Sequence, residues 1–132
     1  MLSAKLYLFI ASISGFLAVA LGAFGAHGLK SKVTPELLAA YQTGVLYHFI
    51  HTLVILGLAI WMLSSAEVSR WAGWSANMML VGILLFSGSL YAMALLSMGT
   101  GFPKWLGPIT PLGGLSFMVG WGLLAVAAVK LK

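Results

Sequence analysis

The stretch Gly22-Ala23-Phe24-Gly25-Ala26-His27-Gly28-Leu29 ends one long apolar run, and Thr34-Pro35-Glu36 opens the next, which reaches Tyr47-His48-Phe49-Ile50-His51. Between them lie only Lys30, Lys32 and their neighbours. A run that stops on glycines and lysines and restarts on a hydroxyl N-cap, a proline and an acid reads as two helices joined by a short turn. The stretch also holds all three histidines of the chain. Apart from tyrosines they are the only titratable side chains placed where hydrocarbon is expected.

Working outward, apolar runs cover residues 6–29, 37–66, 71–103 and 105–129, each longer than the roughly 20 residues that cross a bilayer core. With 61% hydrophobic and 7% charged residues in 132, the composition lies outside the soluble globular range. The reading is an all-α membrane protein, a single four-transmembrane-helix bundle. The expected spans are 6–26, 45–63, 71–98 and 111–129, with an interfacial helix start at 35–44. On this placement His48 and His51 lie one to two turns inside the hydrocarbon. The first run resembles a secretory signal in its Lys5 and its Ala18-Val19-Ala20, but it is far longer than an apolar signal core of about 7–15 residues and reads as a retained span.

Composition also excludes several chemistries. With no cysteine there is no disulfide framework and no thiolate metal site. Aspartate is absent, and Glu36 and Glu67 stand at membrane edges, so neither paired-carboxylate catalysis nor a Ser-His-Asp triad is available. No catalytic residue is assigned. The net charge of +5 comes from basic residues scattered over the ends and loops, which suits lipid headgroups rather than nucleic acid. Both termini share a side bearing Lys5, Arg70, Lys130 and Lys132, against Lys30, Lys32 and Lys104 opposite. The positive-inside rule then gives cytoplasmic termini.

Periodicity assigns faces within the runs. In the first, Ala11, Gly15, Ala18, Gly22, Gly25 and Ala26 form a small-residue stripe fit for close helix contact, within the bundle or between protomers. In the second, Tyr41, Gly44, His48, His51, Thr52 and Ala59 share an inward side. Gly73, Asn77, Leu84, Gly88 and Tyr91, flanked by Ser87, are expected to be buried in the third, and Asn77 needs an interhelical hydrogen bond. Gly113, Ser116, Gly120 and Ala127 form the small face of the fourth. Residues 99–111 contain so many glycines and prolines that they read as a loop folded against the bundle mouth. Trp61, Trp71 and Trp74 surround the loop 64–70 as an interfacial belt.

The candidate intramembrane polar site comprises His27, His48, His51, Tyr47, Asn77, Ser87 and Tyr91. Two readings follow. In the favoured one these groups satisfy one another in a hydrogen-bonded network, and the protein is a structural or interaction bundle with no cofactor. Its partners are then the bilayer and either further copies or another membrane protein. In the alternative, His27, His48 and His51 hold a metal or haem or pass a proton, or the bundle is a subunit of a small transporter or channel. Convergence of His27 with the other two requires the first helix to unwind near Gly25.

Four segments in order, Gly22–Leu29, Tyr47-His48, Phe86-Ser87-Gly88-Ser89-Leu90-Tyr91 and Gly107-Pro108-Ile109-Thr110-Pro111-Leu112-Gly113-Gly114, resemble the signature segments of the YgdD-like family of small bacterial inner-membrane proteins. The resemblance spans nearly the whole chain. It implies a four-helix, multi-pass protein of the bacterial inner membrane, and it carries over no functional residue.

Overall fold

The computed structural model describes residues 2–65 and 70–131. Four helices long and apolar enough to cross a membrane account for nearly all of it: α1 (Ala4–Leu29), α2 (Pro35–Ser64), α3 (Arg70–Ser97) and α4 (Leu106–Val129). Glu67, expected in the loop between α2 and α3, and Lys132 lie outside the described residues.

Local sequence explains the helix starts. Ser3 and Thr34 stand in extended conformation as N-caps, their hydroxyls accepting from the amides of Leu6 and Leu37. Pro35 and Glu36 fill the first turn of α2 as expected. α2 is then one unbroken helix of 30 residues, about 45 Å at 1.5 Å per residue. The turn after α3 is closed by the Gly101 amide on the Leu96 carbonyl, with Gly101 at a φ of 94° that L side chains rarely adopt.

α4 begins at Leu106, inside the stretch that reads as loop. Pro108 lies in the first turn, where an amide has no intrahelical partner to lose. Pro111 removes one bond, to the exposed Gly107, and the helix continues through it. Leu106 is buried against Leu90 and Met93 beside Leu37 and Ile109, so the connection does fold against the bundle mouth.

Successive helices pack as neighbours: α1 on α2, α2 on α3 and α3 on α4. Among the described residues no comparably close packing joins α1 to α3, α2 to α4 or α1 to α4. The result is a zigzag with α2 and α3 at its centre, and it leaves a cleft between α1 and α3 on one face and between α2 and α4 on the other. Small residues set the close approaches. A Cβ at Gly113 would collide with the backbone of Phe86, and one at Gly22 would lie 3.3 Å from the Val45 side chain. The small stripe of α1 is thus used within the bundle, against α2.

Hydroxyl-to-carbonyl hydrogen bonds fasten every neighbouring pair. Tyr41 of α2 donates to the Leu21 carbonyl of α1, Ser87 of α3 to Gly44 of α2 (2.7 Å), Ser75 of α3 to Gly120 of α4 (2.8 Å) and Ser116 of α4 to Met78 of α3 (2.8 Å). Lipid offers no competing water, so such bonds lock helix register. At the far end, Arg70 and the Lys130 ammonium each lie 5.9 Å from the Trp71 ring, which joins the start of α3 to the end of α4.

Two turns widen to π geometry, Gly25–Leu29 in α1 and Ile83–Ser87 in α3. Gly25 and Leu29 of the first stay on the buried face of α1, whereas Ala26, expected on the small stripe, is exposed, as is His27, which the helical period already places opposite that face. On α3 the buried face is Ala72, Ala76, Met79, Ile83, Ser87, Leu90 and Ala94. Leu84, expected inside, is 72% exposed, because that face is rotated from the stripe that small and polar residues suggest.

Candidate functional site

The two buried histidines of α2 are one turn apart and belong to different faces of the zigzag. His48 is 4% exposed and faces the α1–α3 cleft; His51, equally buried, faces the α2–α4 cleft. Tyr41, Gly44, Thr52 and Ala59 are buried with them, as the helical period of α2 requires.

Around His48 a chain of four groups runs across three helices. Its Nε2 lies 2.9 Å from the Ser14 hydroxyl of α1, which lies 2.6 Å from the Thr52 hydroxyl one turn along α2. Its Nδ1 lies 2.9 Å from the Tyr91 hydroxyl of α3. Ser14 is close to midway along α1, and this bond levels His48 with it. The imidazole therefore lies near the middle of the bundle.

Around His51 the partners are a carbonyl and aromatic rings. The Trp121 indole of α4 donates to Nε2 at 3.2 Å, and an indole can only donate. Nε2 is therefore the acceptor nitrogen, and Nδ1 carries the proton that goes to the Tyr47 carbonyl at 2.7 Å. The ring lies on Phe117 of α4, centroids 3.6 Å apart and planes 13° from parallel, and Tyr47 stacks on it at 5.7 Å while tilting against Phe86 at 4.6 Å. Phe117 and Trp121 are four residues apart on α4 and so present one face to α2.

The remaining candidates are separate. His27 is exposed at the π turn of α1, so the widening near Gly25 does not bring it to the other two. Asn77 accepts from the Tyr7 hydroxyl of α1 at 2.6 Å, which supplies the interhelical bond it was expected to need, and Tyr7 also reaches the Gly73 carbonyl. Ser87 is taken up by Gly44. Among the described residues no three His, Asp or Glu side chains come together in a group fit for a metal ion. Sequence reasoning did not assign Ser14, Thr52, Phe117 or Trp121 to the site. Ser14 could have been found: it falls between Ala11 and Ala18 on the buried face of α1.

Each cleft is floored by its histidine. The α1–α3 cleft, about 480 Å³, has Phe9, Ile13, Leu17 and Leu84 at its open rim and the nearly buried Ser14, His48 and Tyr91 at its back. The α2–α4 cleft, about 680 Å³, is walled by Tyr47, Phe86, Phe117 and Trp121.

Four antiparallel apolar helices, stapled by neutral hydrogen bonds and carrying their charges at the ends, define a multi-pass integral protein of a bilayer. Comparison with known proteins gives it a family. A family profile described as "Protein of unknown function (DUF423)" matches residues 21–114. The chain is 43% identical to the UPF0382 inner membrane protein YgdD of Escherichia coli strain K12, over 99% of this chain and 95% of that one. It is 42% identical to the UPF0382 membrane protein YwdK of Bacillus subtilis, over 96% and 98%, and 42% identical to a UPF0382 membrane protein of Haemophilus influenzae, over 96% and 95%. This chain belongs to that family of bacterial inner-membrane proteins. No solved structure matches it.

Proposed function

We propose that the protein is a non-catalytic accessory bundle of the inner membrane, which associates with another membrane protein or with further copies of itself. The observation that carries this reading is that, among the described residues, no buried side-chain nitrogen or oxygen lacks a hydrogen-bond partner. A metal or haem site would need a histidine nitrogen not already committed, whereas His48 and His51 each engage both nitrogens with hydroxyl, carbonyl or indole groups. Ion coupling would need a charge at depth, whereas the described lysines, Arg70 and Glu36 stand at helix ends or in connections. Unused close-approach positions support association: Gly57 of α2 and Gly122 of α4 face outward with nothing within 4 Å of an added Cβ.

The basic residues, four on the side of the termini once Arg70 is counted with the lysines against three opposite, support cytoplasmic termini. The association is tested with a photo-reactive amino acid at Gly57 or Gly122, irradiated in native membranes, with the bulky outward Phe16 as control. The reading expects discrete protein adducts from one or both glycine positions and none from Phe16. Lipid adducts alone at all three would overturn it.

A further inference from the structure

We infer that the α1–α3 cleft is a binding site for a neutral, lipid-soluble carbonyl compound of the isoprenoid quinone class, with its tail along the apolar rim and a carbonyl oxygen at Tyr91. The inference does not depend on the accessory role and goes beyond it.

Thr52, Ser14 and Tyr91 each bring one hydroxyl hydrogen, and His48, counted as neutral imidazole because Glu36 stands about three turns away at the start of α2 and no other described acid is present to pair an imidazolium, brings one more. Four polar hydrogens thus meet three hydrogen bonds, Thr52 to Ser14, Ser14 to His48 and His48 to Tyr91. One hydrogen is left over at an end of the chain. If the chain runs from Thr52, its hydroxyl donates to Ser14, Ser14 donates to Nε2, Nδ1–H donates to the Tyr91 oxygen, and the spare O–H is that of Tyr91. Tyr91 lines the cleft and is only 9% exposed, so in this sense of the chain the spare donor lies at its apolar back, and an acceptor there favours this sense over the reverse, which leaves the spare hydrogen on Thr52. A donor with no acceptor in hydrocarbon costs on the order of 1–3 kcal/mol, and a guest carbonyl removes that cost.

Depth and charge select the guest. His48 is the fourteenth residue of α2, about 20 Å from its start and 24 Å from its end, and the Ser14 contact puts it midway along α1. The ester carbonyls of a phospholipid are tied to the interface of a core about 30 Å thick and do not reach this level. A fatty acid carboxylate would bring an unpaired charge to the middle of the bilayer. A quinone has uncharged carbonyl acceptors on a ring that partitions into hydrocarbon, and its branched tail suits a rim of Phe9, Ile13, Leu17 and Leu84. In the opposite cleft both nitrogens of His51 are satisfied by protein, so no chain of hydroxyls leads from that histidine to a spare hydrogen at mid-depth. Binding alone is inferred, with no electron transfer.

The test is equilibrium partition of radiolabelled decylubiquinone into phosphatidylglycerol nanodiscs with and without the full-length protein, beside decylbenzene, which has ring and tail but no carbonyl. Saturable uptake of about one decylubiquinone per protein is expected, with decylbenzene at least tenfold weaker. Tyr91→Phe, which keeps the ring, should weaken decylubiquinone about tenfold, the equivalent of one hydrogen bond. Leu84→Trp at the exposed rim should block uptake without touching the polar chain, whereas Leu115→Trp on the rim of the other cleft should leave it intact. Should Tyr91→Phe fail to fold, the Leu84 and Leu115 pair decides. Uptake no greater than empty discs, equal binding of decylbenzene, or equal effects of Leu84→Trp and Leu115→Trp would overturn the inference; equal binding of decylbenzene would assign the cleft to acyl chains of the surrounding lipid.

Discussion

His48 and His51 sit one turn apart on the same helix, equally buried, yet one belongs to a chain of hydroxyls and the other to a stack of rings. The difference comes from what the neighbouring helices bring. α1 and α3 offer Ser14 and Tyr91, groups that both donate and accept, so the His48 chain can run in either direction. α4 offers Phe117 and the donor-only indole of Trp121, which fix His51 in one tautomer and one plane. Burial is the same in the two places, and adaptability is not. A buried histidine is thus rigid or open according to whether its partners have a fixed hydrogen-bond sense.

Perturbations on the two sides should differ in a graded way, measured as thermal or SDS unfolding of detergent-solubilised protein. Gly113→Val should have the largest effect, about 3 kcal/mol, because its side chain meets the Phe86 backbone and forces apart α3 and α4, the wall of the ring stack. His51→Gln should cost about 2 kcal/mol, since glutamine loses the face contact with Phe117 as well as the bond geometry. Gly22→Leu should cost ~1.5 kcal/mol by pushing Val45, and so loosening α1 from α2. His48→Gln should cost about 1 kcal/mol, because an amide can still meet Ser14 and Tyr91. Phe16→Leu, at an outward position, should change stability by no more than about 0.5 kcal/mol. If His48→Gln proves as costly as His51→Gln, the open and rigid sites are not distinct.

Much of this was legible in the sequence, for reasons that can be located. The inward side of α2 and the small face of α4 (Gly113, Ser116, Gly120 and Ala127) follow from helical period alone, because regular α geometry holds along both. At the end of α1 the same arithmetic holds for His27, which stays outward, and fails at Ala26, the outermost member of the expected stripe. Pro108 and Pro111 read as breakers, yet a helix tolerates them near its start. For Leu84 the small and polar residues of α3 were a misleading guide: Met79 and Ile83 carry its core contact. The division of the histidines between two clefts was not legible, because it depends on which helices are not neighbours. An i,i+3 pair looks like a shared site until α1 and α4 are placed on opposite faces.

Nitrogen NMR of protein labelled with ¹⁵N-histidine in lipid reads the two imidazoles directly. The difference between the two sites predicts His51 as a single neutral form with its proton on Nδ1, and His48 as a neutral imidazole exchanging between its two tautomers, with resonances that move when decylubiquinone is added and disappear selectively in His48→Gln. A metal-coordinated signature at both histidines, or one fixed and identical tautomer for the two, would contradict it.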